Sequence, residues 1–199
     1  MGQYYYPTFY KQKGNKFYGS QFYAHEYGGE YGQGLKLTEH GYVGNSFVES
    51  VLTQLFNNPQ RVYWCGDYFE KKDFEDVRDY YRMRRTWKKY RLENNKSNYC
   101  HPEEINSFSE DKFIVNHTKH CFINMKKWCR EHEDAEWQLH PLCILTAVGN
   151  GRGGGDYCGV DEEDVGCWAG DLIEIKSNEF VVPEGYTDCT DDVWFEETY

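Results

Sequence analysis

The sequence predicts a single α+β domain with a mostly antiparallel sheet and two main helices. Its 199 residues suit one domain, and 18% of them are aromatic, which supplies large rings for a core although hydrophobic residues make up only 39%. Short segments of strand-like pattern are separated by turn signals, and only two long stretches have helical spacing. Strands and helices without a regular βαβ alternation are typical of the α+β class.

The first predicted elements are strands. Aromatic and polar side chains alternate over residues 3–24 on either side of Gly14-Asn15, which is typical of a β-hairpin. Leu35–Leu37 predicts a short strand, and Val62–Cys65 predicts a buried strand that runs into Gly66-Asp67.

Two segments have helical spacing. Apolar residues recur three and four positions apart from Phe47 to Phe56, after the capping residue Asn45 or Ser46. Asn57-Asn58-Pro59 is the stop signal of this helix. The second helix is predicted over Asp73–Glu93, with a buried face that starts with Phe74, Val77 and Tyr81.

The remaining elements are mainly strands. Phe113–Val115 and Cys121–Ile123 predict a second hairpin, and residues 126–136 predict a short helix. Pro141–Val148 and Trp168–Ile175 predict buried strands on either side of a loop that is rich in glycine.

This glycine loop, residues 149–159, contains six glycines among its eleven residues. Consecutive backbone N–H groups can form an anion-binding concavity, and an embedded arginine can hold a phosphate in bidentate contact. The loop lacks the Walker and dinucleotide-binding signatures, and a simple turn between strands is the alternative. We predict ligand binding by a set of loop residues and one neighbour: Gly151, Arg152, Gly153, Gly154, Gly155, Asp156 and Glu39.

Four residues at predicted strand ends are candidates for catalysis: His40, His117, Asp67 and Asp156. If the two aspartates face one site, they would suit a divalent metal or acid–base chemistry; the alternative is that they form turns and that the histidines are structural. The eight cysteines include no C-x-x-C pair, and no Cys or His spacing fits a zinc site. The sequence therefore predicts no metal ligand, and a divalent metal is the one cofactor that it leaves open.

Charge is distributed unevenly along the chain. The net charge is −11, yet ten of the 22 basic residues lie between Lys71 and Lys96, and 14 acidic residues lie from Asp156 to the end. An acidic chain is not expected to bind nucleic acid generically. The basic segment could contact phosphates, with Trp87 and Tyr90 for stacking, but we favour a solvated helix face that the acidic end balances.

The ends of the chain carry no recognisable targeting signal. No apolar run is long enough for a membrane helix, and no signal peptide is recognised, so no membrane partner is predicted and a cytoplasmic protein is expected. Residues 186–199 are acidic and aromatic and are expected to form a tail that is mobile or docks on the domain.

Five sequence blocks resemble, in order, those of a family of small bacterial and bacteriophage proteins. They are MGQYY at residues 1–5, GLKLTEH at 34–40, VYWCGDY at 62–68, FIVNHTK at 113–119 and GNGRGGGDY at 149–157. The resemblance implies a cytoplasmic, phage-related setting and supplies no catalytic residues. Small phage proteins of this kind often act on host defence, by holding a nucleotide signal or by occluding a host protein.

The leading prediction is a pocket for a small anionic ligand, a nucleotide, with the glycine loop as one wall. Hydrolysis by one of the histidines or aspartates is left open. The alternative is a protein–protein inhibitor whose acidic, aromatic surface, including residues 161–164 and 191–199, occludes a host protein. The first prediction requires Asp67 and His117 to lie beside Arg152.

Overall fold

A computed structural model describes residues 2–14, 16–27, 33–93, 111–131, 138–157 and 163–193. In this part of the chain it shows an eight-stranded, mostly antiparallel sheet and five α-helices, which confirms the predicted fold class. The strands are β1 (Tyr5–Lys13), β2 (Lys16–Gln21), β3 (Gln60–Gly66), β4 (Lys112–Asn116), β5 (Cys121–Asn124), β6 (Ala147–Val148), β7 (Leu172–Ser177) and β8 (Thr187–Asp188). The helices are α1 (Leu37–His40), α2 (Ser46–Leu55), α3 (Val77–Glu93), α4 (Met125–Glu131) and α5 (Pro141–Leu145).

The sheet has the strand order β2-β1-β3-β7-β4-β5-β8, and β6 pairs with β3. Both predicted hairpins are confirmed, because β1 pairs with β2 and β4 pairs with β5 in antiparallel register. In β7, Ile173 pairs with Gln60 on one side and with Asn116 on the other. The start of β3 and the end of β4 therefore lie at the same end of the sheet.

Strand β3 is buried on both faces of the sheet. Because successive side chains of a strand point to opposite faces, Val62 and Trp64 join the main core, whereas Tyr63 and Cys65 join a second, smaller core. Helix α2 contributes to the main core and Met83 of α3 to the second. The sheet is thus covered by helices on its two sides.

Helix α2 forms where the sequence predicts it. The Asn45 side chain accepts a hydrogen bond from the Phe47 backbone N–H at 2.8 Å, which satisfies one of the unpaired donors of the first turn. The apolar face, which includes Val48, Val51 and Leu55, is fully buried.

The second predicted helix, Asp73–Glu93, is shorter than expected. Lys71–Asp73 forms a separate 3-10 turn, and the Asp76 side chain accepts a hydrogen bond from Arg78 N at 2.8 Å at the start of α3. The predicted buried face is wrong at two of its three positions, because Val77 is 39% and Tyr81 58% exposed. Instead, α3 buries Met83 and Thr86 against the hairpin.

The predicted strand Pro141–Val148 is also wrong. Residues 141–145 form α5, which the His140 side chain caps by accepting from Leu142 N at 3.2 Å, and only Ala147–Val148 is a strand. A fully buried run carries no polar face, so its periodicity cannot separate helix from strand. Leu35–Leu37 is likewise not a strand, since Leu37 begins α1. Residues 168–170 lie in a turn, and β7 begins only at Leu172.

The described part of the predicted tail is docked. Thr187 and Asp188 pair in parallel with β5, and the Trp128 indole N–H donates to Val193 O at 2.8 Å. Residues 194–199, and the end of the predicted helix at 132–136, lie outside the described residues. Among the described helices, none is both long enough and apolar enough to cross a membrane.

The α2 cap gives a direct test of the fold. Asn45→Ala is expected to lower the free energy of unfolding by about 1 kcal/mol, because the first turn loses its side-chain acceptor. Asn45→Asp keeps an oxygen at the same position and should lose less. Urea denaturation of the three proteins measures the difference, and equal midpoints for wild type and Asn45→Ala would contradict the role of the cap.

Candidate functional site

The glycine loop closes over the N-terminal segment. Gln3 N donates to Gly154 O at 3.2 Å. A Cβ at Gly153 would lie 2.8 Å from Gln3 N, so this position has no room for a side chain. Gly155 combines a φ of +83° with a site where a Cβ would lie 2.2 Å from Lys36 Cδ. Tight packing against Gln3 and Lys36 therefore accounts for both glycines.

Arg152, the predicted phosphate ligand, is held by two carboxylates. Its Nη1 lies 2.8 Å from Glu70 Oε2 and its Nη2 lies 2.5 Å from Asp73 Oδ1, and 22% of the side chain is exposed. A phosphate at this guanidinium would lie close to two carboxylates, which repel it. The structure thus uses Arg152 to join the loop to the segment before α3.

Asp156 caps the loop from inside. It is 6% exposed, and its Oδ2 accepts a hydrogen bond from Gly153 N at 3.0 Å. Burial, together with the charge of Asp156 nearby, raises the pKa of the Tyr5 hydroxyl well above its usual value. The buried carboxylate therefore organises the loop backbone and does not face an open cleft.

Asp67 and Glu39 also bond to backbone. Tyr4 N donates to Asp67 Oδ1 at 3.0 Å and Asp67 N donates to Tyr4 O at 2.8 Å, which ties the end of β3 to the residue before β1. Glu39 Oε2 accepts from Lys36 N at 3.1 Å in the first turn of α1. Asp67 thus stabilises the junction of two strand ends, and Glu39 caps the first turn of α1.

His40 is a buried structural histidine. Its Nε2 accepts a hydrogen bond from the Trp64 indole N–H at 3.0 Å, so the proton of the neutral ring lies on Nδ1, which donates to Gly34 O at 3.0 Å. The ring is 0% exposed, and burial lowers its pKa to about 4. A side chain with both nitrogens engaged inside the core has no access to a ligand.

His117 lies at the other end of the sheet. It follows Asn116, which is aligned through Ile173 with Gln60 at the start of β3, whereas Asp67 follows the last residue of β3. Six strand steps of about 3.4 Å separate these two levels by roughly 20 Å. The geometric condition of the predicted site is therefore not met, because His117 does not lie beside the glycine loop.

The predicted site thus splits into a cluster around the glycine loop and an isolated His117. Glu39, Asp67, Arg152 and Asp156 belong to the cluster, and each is engaged by backbone or by an ion pair. Among the residues that the structure describes, no group of three or more His, Cys, Asp or Glu side chains is arranged to hold a metal ion. The loop residues 158 and 159 lie outside the described ranges.

A cleft of about 500 Å³ opens between β2 and α3, away from these residues. Its volume falls in the range of small-ligand pockets. Hairpin residues form one side, and residues of the first turns of α3 form the other. The lining consists of Tyr10, Lys16, Phe17, Tyr18, Gly19, Arg82, Arg85 and Thr86.

The floor of the cleft is fixed by close packing. Tyr10 Oη donates to Thr86 Oγ1 at 3.1 Å, which joins the hairpin to α3. A Cβ at Gly19 would lie 2.6 Å from Thr86 Oγ1, so glycine permits this approach. The Arg82 guanidinium lies 3.6 Å from the centre of the Phe17 ring and is also ion-paired with Asp79.

Two cations of the cleft are available to a ligand. Lys16 and Arg85 are exposed, and neither forms an ion pair with a described residue. Tyr18 is 56% exposed beside them. The cleft therefore combines net positive charge with an accessible aromatic ring.

Two sequence features noted above contribute to this cleft, although we expected the basic segment to be a solvated helix face. The basic segment between Lys71 and Lys96 supplies Arg82 and Arg85, and the aromatic hairpin supplies the rings. The sequence does not show that α3 packs against β2. This packing makes the helix face one wall of a cleft. Trp87, which we suggested for stacking, is not among the lining residues. The side chain of Tyr90, the other residue suggested, lies outside the described part.

Comparisons with known proteins give no relatives for this chain. No family model, no curated protein and no solved structure matches it. The resemblance of its sequence blocks to small bacterial and bacteriophage proteins therefore stays a prediction, and functional inference depends on the geometry.

The buried histidines predict a pH dependence of stability. His40 and His140 have folded-state pKa values of about 4 and about 3, against 6.5 when unfolded. Below pH 6.5 the unfolded chain binds protons that the folded protein does not, so stability falls as the pH decreases towards these folded values. We expect each histidine to contribute a slope of up to about 1.4 kcal/mol per pH unit.

Urea denaturation between pH 5 and pH 8 checks this expectation. His40→Gln should show a shallower loss of stability with acid than the wild type, whatever its absolute stability. His25→Gln changes an exposed side chain and should keep the wild-type slope. Parallel curves for all three proteins would show that His40 is not held neutral by the fold.

Proposed function

We propose that the protein binds a small anionic ligand with an aromatic ring, a nucleotide, in the cleft between β2 and α3. The observation that carries this proposal is the combination of Lys16, Arg82 and Arg85 with exposed aromatic surface around one concave volume. The ligand class is the one that the sequence predicts, and the position of the site is new.

The cations favour a phosphate over a neutral group. Arg82 and Arg85 are three positions apart, so they lie on neighbouring turns of the same helix face. Arg85 can present two parallel N–H donors to a phosphate, and Lys16 adds a point charge from the hairpin. Asp79 offsets part of the charge of Arg82 only.

The aromatic rings favour a ligand with a planar base. One face of Phe17 is covered by the Arg82 guanidinium. Tyr18 leaves more than half of its surface open, and base–aromatic stacking contributes about 1–3 kcal/mol per base. A nucleotide supplies both the ring and the phosphate in one molecule of suitable size.

The proposal is restricted to binding. None of the eight lining residues is a histidine, aspartate, glutamate or cysteine, so we propose no hydrolytic step for the cleft. A protein that holds a nucleotide without converting it would act by sequestration, which is one of the two roles that the resemblance to small phage proteins implies.

The alternative function is occlusion of a host protein by the acidic, aromatic surface. Val181 and Val182, flanked in sequence by Glu179 and Glu184, add an exposed apolar segment to the acidic C-terminal part of the chain. Residues 161–162 and 194–199, on which this interpretation also depends, lie outside the described ranges. A pull-down with wild type and a Val181→Ser, Val182→Ser variant tests it, and equal recovery of any partner would reject the surface.

Calorimetry with a panel of nucleotides, with and without Mg²⁺, tests the cleft. Arg85→Ala is expected to weaken binding about tenfold or more, because it removes charge-assisted hydrogen bonds to phosphate. Affinity should also fall as salt is raised. Tyr18→Ala should weaken nucleotides but leave the binding of inorganic phosphate unchanged.

Two control variants separate the possible sites. Arg84→Ala removes an exposed cation of the same helix that does not line the cleft, and its affinity should equal that of the wild type. Arg152→Ala should also retain affinity. Weaker binding by Arg152→Ala, with unchanged binding by Arg85→Ala, would place the site at the glycine loop. If no nucleotide binds, the proposal is rejected.

A further inference from the structure

A chain of hydrogen-bonded side chains lies at the end of the sheet that holds His117. The Tyr186 hydroxyl is 2.8 Å from His117 Nδ1, and His117 Nε2 is 2.8 Å from Glu174 Oε2. Lys176 Nζ lies 2.8 Å from the other oxygen of Glu174. Four polar groups from β7, the end of β4 and the turn before β8 are thus connected in series.

The carboxylate of Glu174, at one end of this chain, determines which group is the donor in each hydrogen bond. Glu174 is ion-paired with Lys176, so its carboxylate accepts a hydrogen bond from the N–H at His117 Nε2. The neutral imidazole then carries a lone pair on Nδ1, and the Tyr186 hydroxyl is the donor to it. This order, a carboxylate that orients a histidine which accepts from a hydroxyl, is the arrangement that activates nucleophiles in triads.

Tyr186 is half-buried and lies among exposed residues. Glu184 and Gly185 before it and Thr187 after it are exposed, and Tyr186 N donates to Pro183 O at 3.3 Å. The centre of its ring lies 5.2 Å from that of His120, which fixes the ring from a second side. His117, by contrast, is largely covered, since 24% of its side chain is exposed, and Glu174 is 6% exposed.

We propose that Tyr186 is a nucleophile activated by His117 as general base, with Glu174 as the positioning residue. In the proposed step the Tyr186 Oη–acyl carbon bond forms, the bond from the acyl carbon to its leaving group breaks, and the phenol proton passes to His117 Nδ1. The leaving group departs with the electron pair of the broken bond. The step requires no oxidant or metal.

The surrounding charge selects the substrate class. Glu184 precedes Tyr186 in the exposed turn, Asp188 follows it in β8, and Glu174 lies behind the histidine. Lys176 offsets the charge of Glu174, so the exposed carboxylates of Glu184 and Asp188 are the ones that disfavour the approach of a phosphoryl dianion. Neutral acyl donors, such as esters and thioesters, are therefore the class that this site takes.

Acetylation by p-nitrophenyl acetate tests the proposal on the full-length protein, with peptide mass spectrometry to follow each tyrosine. Tyr186 is expected to be acetylated about a hundredfold faster than Tyr81, since a positioned general base typically contributes at least that factor. Tyr81 is the matched reference because it is 58% exposed and its hydroxyl has no histidine partner among the described residues.

Two variants distinguish activation from a structural role. His117→Asn keeps a hydrogen-bonding group beside Tyr186 but removes the base, and it should reduce the rate at Tyr186 to that of Tyr81. Glu174→Gln keeps an acceptor without the charge and should give an intermediate rate, with circular dichroism confirming the fold of both variants. Equal rates at Tyr186 and Tyr81 in the wild type, or an unchanged rate at Tyr186 in folded His117→Asn, would overturn the proposal.

Discussion

The burial of Gln3 is the constraint on which one end of the molecule depends. Its side chain is 0% exposed, and its amide Nε2 donates to Gly149 O at 2.7 Å. A Cβ at Gly66 would lie 2.0 Å from that same Nε2. The end of β3 and the glycine loop therefore meet around one polar side chain, and β1 enters the sheet between them. Asp67 and Asp156 hold backbone on either side of this junction, and Arg152 joins the loop to the segment before α3.

The sequence predicted those helices and strands whose local pattern of apolar and polar residues matches the way they pack in the fold. The hairpins follow from alternation and turn residues, and α2 follows from apolar spacing after Asn45. The sequence failed at 141–148, because an entirely buried segment has no polar face to reveal its period. It also failed at the start of α3, where Tyr81 is an aromatic residue that the fold leaves in solvent.

The sequence predicts a class of ligand for the candidate site, but it does not predict where the site lies. A loop rich in glycine is required both where backbone cradles an anion and where backbone packs closely on backbone, so composition alone cannot separate the two. The partners of Arg152 are Glu70 and Asp73, far away in sequence. The cleft likewise arises only when the hairpin and α3 come together. Long-range contacts of this kind leave no local pattern.

The position of β7 in the middle of the sheet determines when the sheet can be completed. It pairs with β3 through Arg61 and Leu172 and with β4 through Asn116 and Ile173, although β3 and β4 precede it by a long stretch of chain. Until β7 is synthesised, β4 and the start of β3 have open edges that can pair with other chains. Such non-local closure slows folding, because loop entropy is lost before the contacts form. The nascent protein thus carries two incomplete half-sheets, and one late strand joins them.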